Sequence, residues 1–202
     1  IEEKIKKEIA NISKDFDIEL DEDARQTEII EEAPKAKKEK KEAKEIVIDA
    51  LKPLGEDYIT DLKKAFSEHW IDIYPNKGKR TGAYSSGFYD TKPFVLLNFE
   101  GKYNDVSTHA HELGHSMHTF YSCKNQSYQY SSYNIFVAEV ASTVNELLLS
   151  KYMLKNSKDK ESKLYILNRL MELFKATIYR QTMFAEFERD IYALREQKHA
   201  LT

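Results

Sequence analysis

The run His111-Glu112-Leu113-Gly114-His115 constrains this chain more than any other feature. In a helix, positions i and i+4 share a face and lie about 6 Å apart along the axis. Two imidazoles at that spacing reach one tetrahedral zinc ion, with zinc–nitrogen bonds of about 2.0–2.1 Å. Glu112, one step from His111, falls beside such an ion rather than on it. From there a carboxylate takes a proton from a zinc-activated water and passes it to a leaving amine. Gly114 is out of place in a helix interior, where it costs about 1 kcal/mol relative to Ala. Close packing against a neighbouring segment accounts for it. The spacing alone also suits two ordinary surface histidines.

A catalytic zinc takes three protein ligands and leaves one position open. Further along, Glu139, Ser142, Thr143 and Glu146 recur at i, i+3, i+4 and i+7, a polar stripe among Val137, Val140, Ala141, Val144, Leu147 and Leu148. A helix this apolar is expected to be largely buried, so its carboxylates need partners. Glu139 is the candidate third ligand, against a surface or salt-bridged glutamate. Glu146, one turn on, is a candidate acceptor for the outer N–H of a ligand imidazole, against a purely structural role. His118, three residues after His115, is a third ligand, a substrate donor or a packed histidine. His109 is expected to point away from the His111/His115 face.

Local patterns place these residues on elements. Ala43, Ile46, Val47, Ala50 and Leu51 predict a helix ending near Pro53 and Gly55, and Tyr58 to Phe66 a second one. Trp70 to Tyr74 and Phe94 to Phe99 read as strands, with a glycine-containing loop or hairpin over residues 79–91 between them. The metal-binding pattern falls on a helix from about Val106 to Tyr121, capped by Asn104 or Asp105. After a polar loop, a helix begins near Ser132 or Asn134 and passes Leu149. Residues 160–197 form one long helix or two joined ones. Nearer the start, Ile1, Ile5, Ile9 and Ile12 fit a short amphipathic helix. The lysine-rich run from Pro34 to Lys41 is interrupted by glutamate and lacks aromatic residues, as in a solvated linker or helix face rather than a nucleic-acid patch.

A net charge of −3 over 202 residues gives no global attraction to nucleic acid or anionic membrane. No apolar run approaches the ~18 residues of a membrane span. Cys123 is the only cysteine. It reads as a packed thiol, excludes an internal disulfide and suits a reducing cytoplasm. The chain starts without Met or a signal-peptide pattern, which suits a fragment.

Several runs together resemble one family. Thr108-His109-Ala110-His111-Glu112-Leu113-Gly114-His115-Ser116-Met117-His118 resembles the active-site helix of oligoendopeptidase F-type enzymes, in the thimet oligopeptidase family of zinc peptidases. Tyr133 to Thr143 resembles the segment that supplies the glutamate ligand there. Asn76 to Tyr84, Pro93 to Phe99 and Arg180 to Glu188 are similar too. The resemblance runs from about residue 42 to the end. It implies a mainly α fold, a zincin-like metallopeptidase catalytic core with a small β element before the active-site helix. It implies one Zn²⁺ held by His111, His115 and Glu139, a deep channel, and cleavage of short peptides. It implies that Phe94 to Phe99 is an edge strand lining the channel, with Tyr84 and Gly82 nearby, or as ordinary turn residues. Residues 42–202 then form part of a catalytic domain, after a charged segment, 1–41, that does not match. The family also carries a later segment of His and Tyr residues that bind substrate, which nothing here matches.

The expectation is a cytoplasmic zinc endopeptidase acting on short peptide substrates, with neither nucleic acid nor membrane as partner and no oligomeric state specified. The alternatives are a truncated zinc-binding fragment without independent activity, an interaction module with a vestigial metal site, and a zinc hydrolase of another kind.

Overall fold

The apolar positions of the metal-pattern helix, Val106, Ala110, Leu113 and Met117, recur at intervals of four, three and four residues and are all buried. They form the floor of the core. The computed structural model describes residues 40–200. The expected amphipathic helix on Ile1 to Ile12 lies outside the described residues. So does the basic run from Pro34, except Lys40 and Lys41, which open the first described helix.

Helix α1 spans Lys40–Leu51 and passes through a short 3-10 turn, Lys52–Leu54, to Gly55 at φ +99°. Helix α2 follows at Glu56–Ser67. Three short strands come next: β1 Ile71–Asp72, β2 Tyr84–Ser86 and β3 Phe94–Leu96. Helix α3 is Tyr103–Asn125 and helix α4 is Ile135–Asn156. The chain divides into two compact units between Ser157 and Lys158. The second unit, described by itself, is helix α5, Lys160–Phe174, a π-helical segment, Lys175–Tyr179, and helix α6, Arg180–Glu196. Among the described residues no helix is long and apolar enough to cross a membrane.

The core of the first unit packs Val47, Ala50 and Leu51 of α1, Leu62 and Ala65 of α2, Leu149 of α4, and Trp70 just before β1 against the α3 stripe. Each large aliphatic side chain buried here contributes about 1.5–3 kcal/mol. The fold is therefore mainly α with a small sheet ahead of α3, as the sequence implies.

Two sequence expectations need correction. The strand at Phe94 is not an edge. Strand order is β1-β3-β2, with β1 parallel and β2 antiparallel to β3. The β3 segment pairs with the first strand as far as Phe99, whose N–H donates to the Ile73 carbonyl at 2.9 Å. Its apolar run reflects burial between two neighbours, and β2 is the edge that runs beside α3. Secondly, α4 is not buried all round. Ser142, Asn145 and Leu149 are buried, whereas Ile135, Phe136, Val137, Val140, Val144 and Leu147 are exposed. Apolar composition requires a covering partner, and the described residues cover one face only.

The helix starts also differ in detail. Neither Asn104 nor Asp105 caps α3 from outside. Asp105 sits in the first turn and reaches back, its Oδ2 accepting from the backbone N–H groups of Lys102 (3.0 Å) and Glu100 (2.9 Å). Asn134 caps α4, accepting from the Phe136 N–H at 2.9 Å.

Candidate metal centre

The face of α3 opposite the core carries His111 and His115. Their Nε2 atoms lie 3.1 Å apart. Glu139 Oε2 reaches from the second turn of α4 to 3.4 Å from His111 Nε2 and 3.5 Å from His115 Nε2. A tetrahedral ion with bonds of about 2.0–2.1 Å separates its ligand atoms by about 3.3–3.4 Å. The three atoms thus already form a triangle of that size.

What brings the two helices this close is Gly114. A Cβ built on it would fall 2.6 Å from the Ser142 Cα and 2.8 Å from the Ala141 carbonyl carbon. No side chain fits between α3 and α4 at this level. Just beyond, buried Asn145 donates to the Ala110 carbonyl at 3.0 Å and bonds the Tyr58 hydroxyl at 3.3 Å, tying the pair to α2.

Each ligand-type side chain is held by a partner. Glu146 Oε2 lies 3.0 Å from His111 Nδ1, and Glu146 Oε1 accepts from the Ser107 hydroxyl at 3.3 Å. With Nδ1 donating to that carboxylate, His111 presents the Nε2 lone pair to the other two groups. The Ser142 hydroxyl donates to Glu139 Oε2 at 2.8 Å and fixes a side chain that is 61% exposed. Of these supports, Glu146 and Ser142 were visible in the polar stripe. Ser107 and Asn145 carry no sequence signal beyond being polar on an apolar face.

Electrostatics follow from the crowding of acids. Burial pulls His111 down, but the bond to Glu146 and the charges of Glu146, Glu112 and Glu139 outweigh it, and the net direction is upward. His115 moves down through burial and the neighbouring His111 charge. Burial pushes the Glu112 carboxyl up, helped by the charges of Glu139 and Glu146 and opposed by His111 and a hydrogen bond from the Ser85 backbone. Strand β2 is pinned to the same helix by Ser85 Oγ, 2.8 Å from Ser116 Oγ.

The remaining candidates lie around this centre. Tyr84 opens β2 with its ring exposed, 6.3 Å from the Phe94 ring. Gly82 adopts φ +90° and its carbonyl accepts from Asn98 Nδ2 at 2.8 Å. His118 is not among the grouped ligand atoms. It stacks on Tyr133 at 3.7 Å, with Nδ1 buried and unpartnered among the described residues. His109 faces the core, edge-on to Phe66, and burial lowers its pKa to about 4.

A sequence profile of peptidase family M3 matches residues 19–202. The chain belongs to that family. This M3 chain is 50% identical over 161 residues to oligopeptidase PepF of Bacillus subtilis, covering 80% of the chain and 24% of the relative. It is 46% identical over 154 residues to the chromosomal oligoendopeptidase F of Lactococcus lactis subsp. cremoris, covering 76% and 26%. A crystal structure from Chlamydophila abortus, provisionally described as a peptidase, superposes with a TM-score of 0.73 at 48% identity, over 80% of this chain and 27% of that one. The M3 chain spans about a quarter of the length of the curated relatives it matches. M3 peptidases are metallopeptidases, so a metal cofactor is implied, and the His-His-Glu group is chemically suited to hold one.

Proposed function

We propose that this chain forms part of a zinc-dependent endopeptidase acting on short oligopeptides, with His111, His115 and Glu139 holding one zinc ion and Glu112 as general base. The observation that carries this reading is the triangle of two imidazole nitrogens and one carboxylate oxygen, with edges of 3.1, 3.4 and 3.5 Å. Two nitrogens and one oxygen from a rigid helix pair are the ligand chemistry of a catalytic zinc site. The substrate class is taken from the names of the relatives, oligopeptidase and oligoendopeptidase F.

A bound zinc supplies Lewis acidity to the scissile carbonyl and stabilises the negative charge that develops on its oxygen. Glu112 takes a proton from the attacking water onto a carboxylate oxygen. It returns that proton to the amide nitrogen as the C–N bond breaks. Burial raises the Glu112 carboxyl above its ordinary value, which makes its carboxylate the stronger proton acceptor. Glu146 keeps His111 in the tautomer with Nε2 free. The outer edge of β2 offers backbone groups to an extended peptide, which would bring the substrate past Tyr84 and Gly82 and alongside Glu112. His118 is the third candidate substrate contact. We assign residues 42–202 to part of the catalytic domain and 1–41 to a charged segment before it, of which the stretch from residue 19 already falls within the family match; the single cysteine is in keeping with a cytoplasmic setting.

A second reading is a metal-binding piece without activity of its own. The quarter-length span and the exposed apolar face of α4 favour it. Metal analysis with a quenched-fluorescent peptide assay, with and without chelator, tests both. The first reading expects about one zinc per chain and chelator-sensitive cleavage, lost in Glu112→Gln with the zinc retained. Zinc without cleavage in the parent chain selects the second reading. Absence of stoichiometric metal removes both.

A further inference from the structure

Ser85, in the middle of β2, meets α3 at two points one helical turn apart. Its Oγ lies 2.8 Å from Ser116 Oγ, and its backbone hydrogen-bonds the Glu112 carboxylate. Glu112 and Ser116 stand at i and i+4, so they share a face of the helix. Both are buried, Ser116 completely and Glu112 at 7% exposure.

The sheet explains why the Ser85 N–H is available. The N–H groups of Val95 and Leu97 donate to the Trp70 and Asp72 carbonyls, both at 2.8 Å, on the β1 side. The alternate residues of β3, Phe94 and Leu96, therefore turn their backbone groups to β2, opposite Ser86 and Tyr84. Ser85, between those two, points its N–H out of the open edge, where Glu112 takes it.

Strand β2 is three residues long, too short for the sheet alone to fix its register firmly. A slip of one residue would turn Tyr84 or Ser86 towards the helix. It would leave the Ser116 hydroxyl buried without a partner, which is costly, and turn the Ser85 N–H from Glu112 into the sheet. Gly87, next on the same side of the strand, fits the same register. A Cβ there would come within 3.0 Å of the Thr119 methyl, one turn beyond Ser116.

We propose that Ser116 is a positioning residue for the general base: its hydroxyl locks Ser85, and with it the register of β2, so that the Ser85 N–H holds one Glu112 carboxylate oxygen. This rests on the reading of Glu112 as general base. One oxygen is then anchored, and the other is left to take the proton of the attacking water. Ser116 acts through Ser85 and is not itself a catalytic residue.

Amide hydrogen exchange in the 202-residue chain, read residue by residue in ¹⁵N–¹H spectra, tests this. An amide on an open edge exchanges freely unless something outside the sheet holds it. The Ser85 amide is expected to be slow in the parent and about tenfold faster in Ser116→Ala, the value of one net hydrogen bond. Val95 and Leu97 should keep their protection. Glu112→Ala should free the Ser85 amide in the same way. The double variant Ser85→Ala/Ser116→Ala separates positioning from packing. With both hydroxyls gone no buried group is left unpaired, so its melting temperature should recover relative to Ser116→Ala. The amide of residue 85 should nevertheless stay fast. Recovery of both would make the serine pair purely structural and overturn the proposal. So would a slow Ser85 amide in Glu112→Ala, or free exchange at Ser85 in the parent, a result that needs no variant to fold. The zinc reading fails separately, by absence of stoichiometric metal in the parent chain.

Discussion

Gly114 lies so close to Ser142 that a Cβ on the glycine would approach the serine Cα to 2.6 Å. Helix propensity alone favours Gly114→Ala by about 1 kcal/mol. The contact reverses the sign. The neighbours it would meet are backbone atoms, so α4 must shift bodily, carrying Glu139 and Glu146 away from the histidines. Gly114→Ala is expected to lose about 1–3 kcal/mol in denaturant unfolding. Its zinc affinity should fall in parallel. A stabilised Gly114→Ala chain would show that the helix crossing is not as tight as described.

Glu146 holds His111 at 3.0 Å through Nδ1. Outer partners of this kind set ligand tautomer and basicity, and losing one typically costs 10–100-fold in metal affinity. Glu146→Gln should show a loss in that range in a competition titration with a chelating dye. Ser142→Ala, which frees the exposed Glu139 carboxylate from its 2.8 Å bond, should cost less. The main effect there is side-chain freedom rather than a change in ligand chemistry. The opposite ranking would mean that Glu139, not His111, is the loosely determined ligand.

How much of this was legible depended on the range of the interactions. The α3 stripe and the His111/His115 pair are set by one helix's own period, so sequence spacing suffices. The Gly114 contact was legible as an anomaly, since glycine mid-helix requires a neighbour. Sheet order was not legible. Strands of two or three residues carry too little pattern to say which is central, and the last of the three in sequence, β3, lies between the two that precede it. The exposure of Val140 and Val144 was equally hidden. Apolar composition says that a surface wants covering, without saying by what.

Asp61 sets an acid limit to stability. It is buried, bonded to the Lys64 ammonium and 3.3 Å from Lys124 Nζ. Lys64, then Lys124 and the Tyr121 hydroxyl, hold its carboxyl below the usual range despite the opposing effect of burial. A carboxyl with a lowered folded-state pKa contributes stability that is fully present above its unfolded value of about 3.9 and is lost as pH falls through the folded value. Melting curves from pH 6 to pH 2 should therefore fall less steeply at the acid end in Asp61→Asn than in the parent. The variant should also be the less stable of the two at pH 6, where both lysines lose their partner. Parallel curves would exclude Asp61 as a contributor to the acid limb.

Metal and general base can be separated by stability as well as by activity. A ligand that binds only the folded chain stabilises it by about 2.7 kcal/mol at 100 times its dissociation constant. For a chain of this size that is roughly 5–10 °C in melting temperature. Zinc should raise the melting temperature by that order, and a chelator should reverse it. Glu139→Gln removes an anionic ligand atom from the triangle and should lose most of the shift. Glu112→Gln should retain it, because Glu112 is absent from the grouped ligand atoms and is held instead by burial and the Ser85 backbone. Equal losses in the two variants would place both carboxylates on the metal and leave the proton transfer without a base. A retained shift in Glu139→Gln would instead leave the third ligand unassigned.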